Sequence, residues 1–191
     1  SVHKDFSLYS AALPVGMTAF MIQGSLYKAM GVEIPTPTTE LFLASPTIVN
    51  TFCCILFGSS ILFALLIGCR PRDYWELLMD PAQIEDFAAA YSNSAFLMNM
   101  GMYGLFILGY YNLIGASFNG ITFGVIFCML STCNAGSHPA NVFPIMLGYA
   151  VASHVFQFLS PIFGATFTQY LHSQSIVVGL CYANGLSPIA D

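Results

Sequence analysis

The sequence predicts an all-α protein: a polytopic transmembrane helical bundle of about five spans, followed by a broken or re-entrant C-terminal segment. Three observations carry this expectation. First, 57% of the 191 residues are hydrophobic and only 7% are charged, whereas an ordinary soluble domain is about 25% charged. Second, no Asp, Glu, Lys or Arg occurs between Phe87 and Ala190, so more than half of the chain lacks the side chains that clothe a water-facing surface. Third, apolar runs recur at the length of a span, since a hydrocarbon core of about 30 Å needs about 20 helical residues. The formal net charge of −5 excludes a nucleic-acid partner, because phosphate binding needs Lys and Arg to displace counterions. Residues 1–191 read as a single transmembrane domain, a piece of something longer.

The first span is Phe6–Tyr27, interrupted by Pro14, Gly16 and Gly24. The second, Thr47–Cys69, has an unbroken apolar core from Ile55 to Ile67, relieved only by Gly58, Ser59 and Ser60. Ser94–Ile114, Phe118–Cys133 and Val142–Leu159 follow as the third, fourth and fifth. Ser175–Ala190 is apolar but short, and Gly185 and Pro188 break it. Lys4 precedes the first span, and Arg70 and Arg72 follow the second, against Lys28 on the other side. The positive-inside bias therefore places the N-terminus in the cytoplasm. Between the second and third spans, Asp80-Pro81 has the form of an N-cap with Pro at the first helical position, opening a short helix through Ala90. That helix is expected along the membrane interface, with Tyr74 and Trp75 as headgroup anchors.

Polar and small residues within the spans are the functional candidates. Ala116, Gly120 and Gly124 recur every fourth residue, the spacing that lets two helix backbones approach closely. Asn119 and Thr122 bring an amide and a hydroxyl to the same span. In the next turn, Asn134 and Gly136 suit a left-handed helix terminus, Pro139 stops the fourth span, and Asn141 is a fitting N-cap for the fifth, with Pro144 in its first turn. His138 is not explained by helix ends and titrates near neutrality. His154 and Gln157 lie one turn apart in the fifth span, where a neutral imidazole needs a partner or a water-filled cavity. The solute-path candidates are thus Asn119, Thr122, His138, Asn141, His154 and Gln157. A metal site needs at least three convergent ligands, and His138, His154 and His172 stand at unsuitable separations with no carboxylate in spans three to five. No metal or other cofactor is expected. The six cysteines lie in or at the ends of apolar runs and read as small packing residues. Leu113-Ile-Gly-Ala-Ser-Phe118 and Ile162-Phe-Gly-Ala-Thr-Phe167 share a pattern, as a repeated unit would.

The middle of the chain resembles a bacterial family of multi-pass membrane proteins known as domain of unknown function 1576. The resemblance is carried by the stretches from Asn119 to Ile126, from Gly136 to Asn141 and from Pro144 to Gly148, most specifically by His138-Pro139-Ala-Asn141 followed by Pro144-Ile-Met-Leu-Gly148. It implies a bacterial plasma-membrane location and a two-half architecture, with no assigned activity.

Three functions are weighed. A transporter or channel component for a small solute is favoured by the polar but uncharged side chains within spans and by the broken last segment. A non-transporting scaffold packing against a partner helix through the small-residue stripe is the alternative. An intramembrane enzyme is least favoured, because Ser153 and His154 are adjacent on a helix and so point about 100° apart. The expected partners are the lipid bilayer, a small solute, and the remaining half of the polypeptide or a second copy of the chain.

Overall fold

A computed structural model describes residues 43–80 and 87–158, together with Thr18, Ile22, residues 25–27 and 29–31, and Gly179. Regular structure among the described residues is entirely helical. The helices are α1 (Pro46–Leu66), α2 (Pro71–Leu78), α3 (Phe87–Ala90), α4 (Asn93–Leu113), α5 (Gly120–Asn134) and α6 (Pro139–Phe158). Most of the first expected span, the Ser175–Ala190 segment apart from Gly179, the shared Gly-Ala-Thr-Phe pattern at 164–167 and the start of the helix after Asp80 lie outside the described residues.

Local chemistry sets the helix ends. Pro46 and Pro71 occupy the first turns of α1 and α2, where a missing N–H removes nothing from the helix. The Asp73 carboxylate accepts the Arg70 N–H at 3.2 Å, and Ser92 Oγ accepts the Ala95 N–H at 3.2 Å to open α4. At the far end of α4, Gly115 takes φ +65°, and the Ala116 and Gly115 N–H groups bond the carbonyls of Tyr111 and Asn112. This is a Schellman ending, which needs a left-handed residue and therefore favours glycine. Gly136 repeats it after α5 with φ +110°, as the Asn134/Gly136 pattern predicts.

The middle spans match helices, with differences at their ends. Thr47–Cys69 becomes Pro46–Leu66, and Ser94–Ile114 becomes Asn93–Leu113. Two expectations need correction. α6 begins at Pro139 rather than Val142, because the proline that stops one helix is also well placed in the first turn of the next. Asn141 is therefore inside the first turn, and Pro144 lies within the helix. Moreover, α1 is the single helix among the described residues that is long and apolar enough to cross a membrane, so the described residues bear out an all-helical fold and one such span, short of the five expected. α4 is equally long, but Asn99, Asn112 and three tyrosines dilute its apolar character.

α4 is the central element. It runs antiparallel to α1, packs also on α5, and touches α2, α3 and α6. Its buried residues Tyr103, Ile107 and Tyr111 form the core with Phe57 of α1, Val125, Ile126 and Met129 of α5, and Val142 of α6. Backbone approach is closest between α1 and α4. A Cβ on Gly101 would stand 2.6 Å from the Phe57 carbonyl oxygen, and one on Gly104 would stand 2.3 Å from the Phe57 ring. Ser60 Oγ donates to the Leu97 carbonyl at 2.8 Å, and Asn50 and Asn112 exchange amide hydrogen bonds at 2.9 and 2.8 Å. A satellite cluster of Leu77, Phe87 and Ala95 lies beside this core, with Tyr74 packed against it. Tyr74 is therefore partly buried in packing, whereas Trp75 is exposed.

The predicted small-residue stripe makes no close helix contact among the described residues. Ala116 precedes α5, since Asn119 caps that helix, so it cannot stack with Gly120 and Gly124. Both glycines are exposed, and a Cβ on either would meet nothing within 4 Å. We therefore expect opposite outcomes from two alanine substitutions, read by thermal unfolding in lipid nanodiscs. Gly101→Ala, forced against backbone, loses about 1–3 kcal/mol. Gly124→Ala loses nothing and gains up to about 1 kcal/mol of helix propensity.

Candidate functional site

The predicted polar residues divide into two local pairs, one at each end of α5. At the first end, Asn119 Oδ1 accepts the N–H groups of Ile121 and Thr122 at 2.9 and 3.2 Å, and Thr122 Oγ1 accepts the Asn119 N–H at 2.8 Å. This reciprocal capping box engages Asn119 Oδ1 and Thr122 Oγ1, two of the groups that the sequence offers to a solute. At the other end, His138 is the residue before α6. Its N–H donates to Asn141 Oδ1 at 3.0 Å, and its Nδ1 accepts the Asn141 N–H at 3.3 Å. The same device recurs here with an imidazole as the cap, and Asn141 takes the third helical position instead of the cap itself. Asn141 Nδ2 also donates to the Gly136 carbonyl at 2.9 Å. The fifteen residues of α5 separate the two pairs by about 20 Å, so they do not converge. His154 is exposed on α6, away from both. The Gln157 side chain lies outside the described structure.

The second pair belongs to a larger buried cluster, parts of which the sequence reading misses. His138 is 1% exposed, and its Nε2 faces the Asp80 backbone carbonyl at 3.1 Å. Since Nδ1 meets an N–H donor, the neutral ring carries its proton on Nε2, which donates to Asp80. The Phe87 ring lies parallel to the imidazole, centroids 6.3 Å apart. The Asp80 carboxylate accepts from the Tyr91 hydroxyl, and Asn134 Oδ1 accepts the Ala88 N–H at 3.4 Å. The connector from α2 to α4 is thus bound to the α5–α6 turn, and it brings to His138 a carboxylate that spans three to five lack.

Asn99 of α4 completes the cluster. It is fully buried, and its Nδ2 donates to the Ser137 carbonyl at 2.9 Å and approaches Cys133 Sγ at 3.8 Å. The Ser137 carbonyl fixes which way the amide faces, because the alternative orientation would oppose two oxygens. Asn99 Oδ1 is then left buried with no hydrogen-bond donor, an arrangement that costs about 1–3 kcal/mol. The signal in the sequence is an isolated amide in the apolar run from Ala95 to Tyr111, beside the glycines that bring α1 close. Among the described residues no three His, Cys, Asp or Glu side chains gather as metal ligands.

Burial lowers the pKa of His138 from its ordinary value, only partly opposed by the hydrogen bond to the Asp80 carbonyl and by the Asp80 charge. Tyr91 is pushed up by burial and by its bond to Asp80, and Tyr74 by burial. Burial thus favours the neutral form of all three groups.

The fold and this site define a class: a helical bundle with, among the described residues, one helix both long and apolar enough to cross a membrane, and a buried polar corner. The chain belongs to the family described as "Protein of unknown function (DUF1576)", whose model matches residues 71–190. The matched stretch takes in α2 to α6, including Asn99 and His138, and leaves α1 outside. No curated protein and no solved structure matches the chain.

A pH dependence follows. The unfolded chain binds a proton at an ordinary histidine pKa of about 6.5, above that of folded His138. The stabilisation from the neutral ring is therefore complete above that value. It declines as pH falls, and is lost below the folded pKa. Thermal unfolding between about pH 7.5 and about pH 5 should show the wild type losing more stability on acidification than His138→Asn, whose carboxamide caps without titrating.

Proposed function

We propose that this chain is a non-enzymatic, membrane-embedded component of a small-solute transporter or channel, with α4 to α6 joining α1 in the bilayer and the N-terminus in the cytoplasm. The observation that carries the reading is Asn99 Oδ1, a carbonyl oxygen buried inside the helical core without a donor. Buried acceptors in proteins are nearly always satisfied, by protein, water or ligand, so this atom is suited to meet the N–H or O–H of a passing solute. With no charged side chain from Phe87 to Ala190, the reading favours uncharged solutes. Support for the membrane setting comes from α1, whose outward residues Ile48, Ile55 and Leu66 are between 67% and 74% exposed, an apolar face that lipid accommodates and water does not. The non-enzymatic part rests on His138, whose two ring nitrogens face backbone groups and are paired with no neighbouring hydroxyl nucleophile.

The open Gly120–Gly124 face favours a second reading, a scaffold that packs against a partner helix or a second copy of the chain. The two readings separate in proteoliposomes containing the full chain, tested for flux of a panel of small neutral and ionic solutes. The transport reading expects a specific flux that falls at least about tenfold in Asn99→Leu, a change of about 1.4 kcal/mol or more in the barrier, with unfolding temperature checked. Absence of flux for every solute, together with disulfide-linked dimers of Gly124→Cys, would reject transport in favour of the scaffold.

A further inference from the structure

We propose that the α5–α6 corner is a proton-operated latch: protonation of His138 at Nδ1 breaks its bond to the Asn141 N–H, releases the Gly136–His138 turn and uncovers the Asn99 carboxamide. The proposal concerns regulation of the polar site described above and, for its functional meaning, rests on the solute-path reading of Asn99.

The chemistry is simple. Neutral imidazole has one acceptor, and the imidazolium has none. Once a proton from solvent takes the Nδ1 lone pair, two donors face one another where His138 and Asn141 were 3.3 Å apart. No other bond is made or broken covalently. The Nε2 proton keeps its acceptor, the Asp80 carbonyl at 3.1 Å. The failure is therefore confined to the side of the ring that holds the turn. That turn has two further ties, Asn141 Nδ2 to the Gly136 carbonyl and Asn99 Nδ2 to the Ser137 carbonyl, both at 2.9 Å. The first belongs to the same residue that loses its bond to the ring. The second is the contact that keeps Asn99 covered. One protonation thus acts on a continuous run of hydrogen bonds, from ring to cap, from cap to turn, and from turn to carboxamide.

The surroundings make the charged ring unwelcome in place. Phe87 presents a parallel aromatic face, and Asn99, Cys133 and Asn141 on α4, α5 and α6 are neutral. The Asp80 carboxylate attracts the imidazolium, but it is also bound to the Tyr91 hydroxyl. Of the other ionisable groups on this side among the described residues, Tyr74 and Tyr91 are neutral, and the Glu76 carboxylate acts on Tyr91. An imidazolium therefore gains more from moving towards water than from staying, and the free turn lets it move.

The test is hydrogen exchange of the full chain in lipid nanodiscs, corrected for the intrinsic effect of pH on amide exchange. On acidification from about pH 7.5 to about pH 5, amides of residues 132–142 should exchange about tenfold faster in the wild type. His138→Asn should show no such rise. Asn141→Ala should exchange fast already at the higher pH. A flat wild-type profile, a midpoint above the ordinary histidine value, or an unchanged rise in His138→Asn would overturn the latch. The wild-type arm decides even where a variant does not fold. Solute flux, measured in parallel, keeps the two proposals apart. Acid opening without Asn99-dependent flux rejects the solute path and leaves the latch. Flux with exchange that does not respond to pH rejects the latch and leaves the path.

Discussion

The close approach of α1 and α4 is the constraint on which the rest of this structure depends. Gly101 and Gly104 leave room for the Phe57 backbone and ring, with no space for a Cβ at either position. In an apolar setting little hydrophobic force draws helices together, so packing and hydrogen bonds must do it. The Ser60–Leu97 and Asn50–Asn112 bonds supply the polar part along the same seam. With α1 held, α4 becomes the spine on which α5 and α6 lie. Its opposite side carries Asn99 to the turn that joins them.

Most of the helical layout was legible because hydropathy decides it. Long apolar runs cannot leave their backbone polar groups unpaired, and the helix is the local answer. The ends of α1 and α4 fall within a few residues of their expected places for that reason. Ends fixed by single side chains were harder to read. Pro139 can stop one helix or start another, and His138, an uncommon cap, decides the matter by bonding the Asn141 N–H. The stripe of Ala116, Gly120 and Gly124 is periodic in sequence, but Asn119 breaks the helix between its first and second members.

The candidate site was only partly legible. His138 and Asn141 stand out as residues, but their reciprocal bonding depends on backbone geometry that residue spacing leaves open. Asn119 and Thr122 look identical in sequence whether they face a solute or one another. Asn99 was missed because a lone amide in a long apolar run has several harmless uses. Only the orientation imposed by the Ser137 carbonyl shows that its oxygen is left without a donor. The contact between Asp80 and His138 spans 58 residues, and no local pattern announces it.

In the membrane setting proposed above, the length of α5 has a consequence for the lipid. Fifteen residues rise about 22 Å, several ångströms short of a hydrocarbon core of about 30 Å. In a bilayer this hydrophobic mismatch draws the lipid inwards around α5 or sinks the flanking turns below the headgroups. Water is scarce at that depth, and the turns must supply their own hydrogen bonds. The two reciprocal caps and the two glycine endings that bracket α5 do so, making a short helix compatible with a thicker lipid layer.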